Sequence, residues 1–79
     1  MEIQIQYYAS FREQASKSVE VIEIEEATVG ELYQIIKSKY NFDLSGSDVK
    51  YAINDSFVEA DAKLNDKDQL VFIPPVGGG

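Results

Sequence analysis

Seventy-nine residues allow one domain with a single modest core, and a hydrophobic fraction of 44% argues against disorder. The sequence has no Cys and no His, which excludes disulfides, thiolate nucleophiles, imidazole bases, iron–sulfur ligation and the usual zinc sites. Fourteen acids against seven bases give a net charge of −7, which opposes nucleic acid and anionic membranes and either favours a basic partner or serves solubility alone; no apolar run is long enough for a membrane span or a leader, so a soluble, cytoplasmic protein is expected.

Glu2–Tyr8 alternates strictly, with Ile3, Ile5 and Tyr7 on one face and Glu2, Gln4, Gln6 and Tyr8 on the other. That is a half-buried strand that leaves the Tyr8 ring near solvent. Ser10-Phe11-Arg12-Glu13 fits a capping box and predicts a short helical turn over 10–16, with Phe11 in the core. A second strand follows at Val19–Glu25. Its alternation slips between Val21 and Ile22, which predicts either a bulge, an irregular start, or a phase with Ile22 and Ile24 inward.

Thr28-Val29-Gly30-Glu31 is another capping box, and Val29, Leu32, Ile35, Ile36 and Tyr40 recur behind it at helical spacing. Lys37 and Lys39 complement the helix dipole in its last turns, and Asn41 suits a left-handed exit. Residues 42–48 read as a loop, too short in its Ser-Gly-Ser run to cradle phosphate. Val49–Ile53 alternates as a strand, and Asn54-Asp55 offers a tight turn into Phe57-Val58. Asn65-Asp66-Lys67-Asp68 is a turn; its acids lack both the spacing and the glycine of a calcium loop, so they are read as solvated and no metal is assigned. In the last strand, Gln69–Ile73, Leu70 and Phe72 share one face and Val71 and Ile73 the other.

The chain then ends Pro74-Pro75-Val76-Gly77-Gly78-Gly79. The prolines donate no ladder hydrogen bond and hold an extended path, so the strand stops there. A domain over residues 1–73 thus carries a tail over 74–79, able to span on the order of 20 Å when extended and no wider at its tip than bare backbone. Its terminal carboxylate, with a reference pKa of about 3.5, is ionised at neutral pH and inert until activated. A frayed terminus has the same composition, and only the domain upstream decides between the two readings. Strand, strand, helix, strand, short strand, strand, with one main helix on one face of a mixed sheet, is the β-grasp pattern of the α+β class, the last strand beside the first.

The residues resemble the small, ubiquitin-like subunit of molybdopterin synthase, a sulfur carrier in molybdenum cofactor biosynthesis. The resemblance spans the chain. It rests on Tyr7-Tyr8-Ala9-Ser10-Phe11-Arg12-Glu13, Thr28-Val29-Gly30-Glu31-Leu32, Tyr51-Ala52-Ile53-Asn54, and above all Phe72-Ile73-Pro74-Pro75-Val76-Gly77-Gly78-Gly79. It implies that an activating enzyme related to ubiquitin-activating enzymes adenylates the Gly79 carboxylate with ATP. Sulfur then displaces AMP to give a thiocarboxylate, and the carrier docks on the large synthase subunit in a heterotetramer and donates sulfur to the cyclic pyranopterin precursor. Catalytic residues would belong to the partner, so the chain would be no enzyme on its own and would bind no cofactor. Tyr8, Phe57 and Ile73, with Val76, would form the apolar contact with partners; Pro74, Pro75, Gly77 and Gly78 would carry the tail. Tyr8 stands where the family has phenylalanine, and Gly77 fills a variable slot. A thiamin-pathway sulfur carrier shares the fold, the terminal Gly-Gly and the thiocarboxylate. A ubiquitin-like modifier conjugated to lysines would use the same tail for acyl transfer alone, and a plain interaction module would not use it.

Overall fold

The computed structural model describes residues 1–75. Strand β1 is Glu2–Tyr7, followed by helix α1 (Ala9–Ala15), β2 (Val19–Glu23), helix α2 (Val29–Tyr40), one 3-10 turn at Gly46–Asp48, β3 (Lys50–Ile53), β4 (Ser56–Val58) and β5 (Gln69–Ile73). The sheet order is β2-β1-β5-β3-β4, with β1 and β5 parallel and the other neighbours antiparallel. This is the expected β-grasp arrangement, with the last strand beside the first.

Alternation in β1 sends Ile3, Ile5 and Tyr7 inward, where they meet Leu70 and Phe72 of β5 and Val29, Leu32, Tyr33 and Ile36 of α2 in one buried cluster. Helix α2 starts as its sequence requires. The Thr28 hydroxyl accepts from the Glu31 N–H at 3.2 Å, and the Glu31 carboxylate accepts from the Thr28 N–H at 2.8 Å. Two more of its first N–H groups, on Val29 and Gly30, donate to the carbonyls of Ala62 and Ala60. A Cβ at position 30 would stand 3.1 Å from the Ala60 oxygen, a contact tight enough that the Ala60 backbone would have to give way slightly. The helix ends with Asn41 at φ 57°, its N–H on the Lys37 carbonyl.

Three expectations need correction, and one set of alternatives is decided. Ser10 caps nothing: α1 begins at Ala9, Tyr8 is its N-cap without a side-chain bond, and the Tyr8 carbonyl accepts from Phe11 and Arg12. Ala9, at φ 49°, makes the turn from strand to helix in one residue, which leaves Ser10 and Glu13 already inside the helix. Ile35 is exposed, and Tyr33 takes its place in the core, because Val29, Leu32, Tyr33 and Ile36 are the residues three and four apart on one face. Of the three alternatives for β2, the phase with Ile22 and Ile24 inward is the one that holds: the strand pairs without a bulge from Glu2↔Glu23 to Gln6↔Val19, Ile22 and Ile24 pack against the core, and only its end moves, from Glu25 to Glu23. Asp68 is not solvated: it is buried and accepts from the Asn65 N–H at 2.8 Å and the Asn54 side-chain amide at 3.0 Å.

Two polar devices close the core. Asn54 and Asp55, both at positive φ, form the two-residue β3–β4 turn. Asn54 also accepts from the Gln69 N–H, so the Asp68 carboxylate ties that turn to the start of β5. At the other margin Glu20 points inward from β2. It receives Tyr7 Oη and Tyr40 Oη on one oxygen and Lys39 Nζ on the other, each at 2.8 Å. Burial acts to raise the Glu20 carboxyl, but the hydrogen bonds from Lys39, Tyr40 and Tyr7 outweigh it and hold the pKa at about 2, against an ordinary 4.5. Burial and the same carboxylate push the Tyr7 hydroxyl far above the usual tyrosine range.

A carboxylate with a depressed folded-state pKa stabilises the fold above its unfolded pKa and loses that contribution as pH falls through the folded one. Glu20 therefore contributes on the order of 2 kcal/mol at pH 5 and above, lost between about pH 4.5 and pH 2. Thermal midpoints followed by circular dichroism should show Glu20→Gln less stable than wild type at pH 7, with the gap closing towards pH 2. A gap constant across that range contradicts the assignment. Asp68→Ala should cost about 2 kcal/mol at neutral pH, since it strands a buried N–H and an amide; urea midpoints measure it.

Candidate functional site

One face of the sheet is covered by α2 and the other is open. Directly paired residues share a face, so the register writes the open face row by row. Val19, Gln6, Val71, Ala52 and Phe57 form one row across all five strands. Two residues further towards the tail, Ile73 lies opposite Lys50, with Tyr8 just beyond the end of β1 and Glu59 just beyond β4.

Three of the four positions expected to meet a partner, Tyr8, Phe57 and Ile73, fall on this face. Phe57 is 77% exposed, the most of any large hydrophobic among the described residues, and Tyr8 is 45% exposed. Ile73 is half-buried; Pro74 continues from it and Pro75 reaches solvent. Phe57, Ile73, Pro74 and Pro75 line one open hollow together with Val58, Glu59 and Lys50. Tyr8 does not line the hollow; it stands on the far side of Ile73, fixed by its role as the N-cap of α1. Val76, Gly77, Gly78 and Gly79 lie outside the described residues.

Sequence reasoning passed over Lys50, although strand parity in Val49–Ile53 places it outward with Ala52. Among the described residues no group of three Asp or Glu side chains is arranged to hold a metal, and no helix is long and apolar enough to cross a membrane. The strongly shifted groups, Glu20, Tyr7 and Tyr33, belong to the core and its margin. Tyr33, pushed up to about 12 by burial first and by Tyr51 and Asp43 next, donates to the Leu44 carbonyl. Among the described residues the site thus presents an apolar exit for the chain as it leaves β5, with Lys50 and Glu59 as its charged neighbours.

The contrast between the two faces is measurable. Phe57→Ala should change stability by less than about 0.5 kcal/mol, as for exposed positions generally. Phe72→Ala removes a fully buried ring that packs 5.0 Å from Tyr33 and should cost about 3 to 5 kcal/mol. Denaturant titration of both variants checks the pair.

The fold has counterparts among known proteins. The model of the ThiS family matches residues 5–79. No curated protein sequence matches the chain. Among solved structures, a putative molybdopterin converting factor, subunit 1, from Pyrococcus furiosus is 30% identical over 96% of this chain and 99% of that chain, with a TM-score of 0.80. SAMP1 from Haloferax volcanii is 18% identical over the whole of both chains, with a TM-score of 0.79. A chain of the complex of subunits 1 and 2 of the molybdopterin-converting factor from Helicobacter pylori is 21% identical over the whole of both chains, with a TM-score of 0.70. The last two likenesses establish the fold alone.

Proposed function

We propose that this chain, which belongs to the ThiS family, is the sulfur-carrying small subunit of a molybdopterin synthase. The observation that carries the reading is the continuity of the open apolar face with the tail exit: Phe57, Ile73, Pro74 and Pro75 border one hollow at the point where the chain leaves the sheet. The likeness to a molybdopterin converting factor subunit at 30% identity over nearly the whole of both chains supports the pathway.

In this reading the reacting group is the Gly79 carboxylate. Within the active site of an activating enzyme, a Gly79 carboxylate oxygen attacks the α-phosphorus of ATP and expels pyrophosphate. Sulfur at the oxidation level of sulfide then attacks the acyl carbon and expels AMP, leaving a thiocarboxylate. Glycines at 78 and 79 leave the acyl carbon unhindered. Pro74 and Pro75 stiffen the first part of the tail and reduce the entropy lost when it enters a slot on the partner. The body of the chain docks by Tyr8, Phe57, Ile73 and Val76. A second subunit receives the tail and transfers the sulfur to the cyclic pyranopterin precursor, after which the carboxylate is regenerated for another round. The folded domain supplies recognition, and the catalytic groups belong to the partners.

A modifier joined to lysine side chains shares the fold and the activation step; the likeness to SAMP1 keeps that reading open. The two diverge after adenylation. Intact mass after incubation with ATP, a sulfur donor and, separately, the molybdenum-pathway and thiamin-pathway activating enzymes should show one oxygen exchanged for sulfur at Gly79 with the molybdenum-pathway enzyme alone. Exchange only with the thiamin-pathway enzyme reassigns the pathway. No exchange in either, with a conjugate ladder in cells that disappears on deleting Gly78 and Gly79, replaces the carrier by the modifier.

A further inference from the structure

We propose that Lys50 is a specificity determinant of the tail-exit face and takes a carboxylate on the subunit that receives the tail. The inference rests on the docking reading above and adds the chemistry of one point within it. Lys50 opens β3 directly opposite Ile73, the residue from which the tail departs, and lines the same hollow as Phe57 and Pro74. Its side chain is exposed. Of the other lysines, Lys17 and Lys39 are paired with Glu20 and Lys67 with Glu2; Lys37, Lys50 and Lys63, like Glu59, take part in no ion pair among the described residues, and of these three lysines only Lys50 lines the hollow.

That placement puts a positive charge at the edge of the apolar patch, between Ile73 of β5 and Glu59 just beyond β4. Glu59 makes no ion pair with Lys50, so a partner covering Phe57 and Ile73 with apolar groups alone would strip water from the ammonium without supplying an acceptor, which is among the costlier defects of an interface. The aliphatic stem of a lysine can lie along an apolar neighbour while the amine reaches outward to an acceptor. An Asp or Glu side chain supplies that acceptor with the right sign.

The local demand is opposite to the global one. A chain of net charge −7 attracts basic surfaces from a distance. A partner that is basic at large and acidic at the one point facing Lys50 satisfies both, whereas a uniformly basic competitor is drawn in and then repelled at the patch. Such a combination discriminates by repulsion as well as attraction.

The opposition of signs makes the test sharp. Lys50→Met renders the chain more acidic, so binding to a basic partner that lacks the local carboxylate should tighten; with the carboxylate present it should weaken. The full chain, Lys50→Met, Lys50→Arg and Lys50→Glu are titrated by calorimetry against the purified large subunit from the same organism, and sulfur loading at Gly79 is read by intact mass on the same preparations. The expected result is Kd raised roughly tenfold by Lys50→Met and roughly a hundredfold by Lys50→Glu, with Lys50→Arg close to wild type and folding unchanged by circular dichroism. Equal or tighter binding of Lys50→Met overturns the assignment while leaving the carrier reading intact. Failure of wild type to load sulfur overturns the carrier reading, and the affinity comparison still decides Lys50. Absence of any affinity for the large subunit overturns both.

Discussion

The parallel pairing of β1 with β5 is the constraint from which the rest of the molecule follows. Parallel neighbours cannot be joined by a tight turn, so the chain between them must travel away from the sheet centre and return. It does so through an antiparallel partner on one side, a helix across one face, and a second antiparallel pair on the other side. The central strands are also the ones whose inward residues, Ile3, Ile5, Tyr7, Leu70 and Phe72, are fully buried. With α2 committed to one face, the other is left open. Because β5 runs in the direction of β1, it ends beside Tyr8, and the tail leaves the sheet next to the start of α1.

Features that depend on neighbours in the chain are legible in the sequence. Strand alternation places Tyr8 and Ile73 outward, the capping box at Thr28 and Glu31 marks the start of α2, and Asn41 and Asn54-Asp55 mark its exit and the hairpin turn. Local patterns mislead where a distant contact outranks them. Ser10 has the spacing of a cap, but β1 runs through Tyr7 and the helix begins two residues later, so the serine has no free N–H to serve. Val29 and Ile36 mark the buried side of α2 correctly, yet Ile35 looks equivalent because it is as apolar as they are; angular position, not hydropathy, puts Tyr33 inside. The patch is half legible. Parity gives Ile73 and Tyr8, while the outward turn of Phe57 depends on the hairpin register.

The polar groups of the interior are hidden for the same reason. Glu20 lies in a strand whose glutamates otherwise face solvent, and its partners Tyr7, Tyr40 and Lys39 are 13, 20 and 19 residues away in the chain. Asp68 sits among turn formers that usually mean water, but its acceptors serve Asn54 from another hairpin. In both cases one carboxylate collects donors from separate elements, which is how a core of modest size closes its margins without leaving a charge unpaired. The outward charges obey a different logic. They are numerous, mostly acidic and solvated, and they set the long-range field rather than the fold.

Tension applied at Pro74 enters the body along β5, and the direction of that strand decides how the fold answers. β5 is flanked on both sides, by β1 and by β3, and its ladder hydrogen bonds lie across the line of pull. A force drawing the tail outward loads these bonds together, in shear, instead of peeling them one at a time as it would from an edge strand. The chain end can therefore be drawn taut into a narrow slot while the domain behind it stays whole.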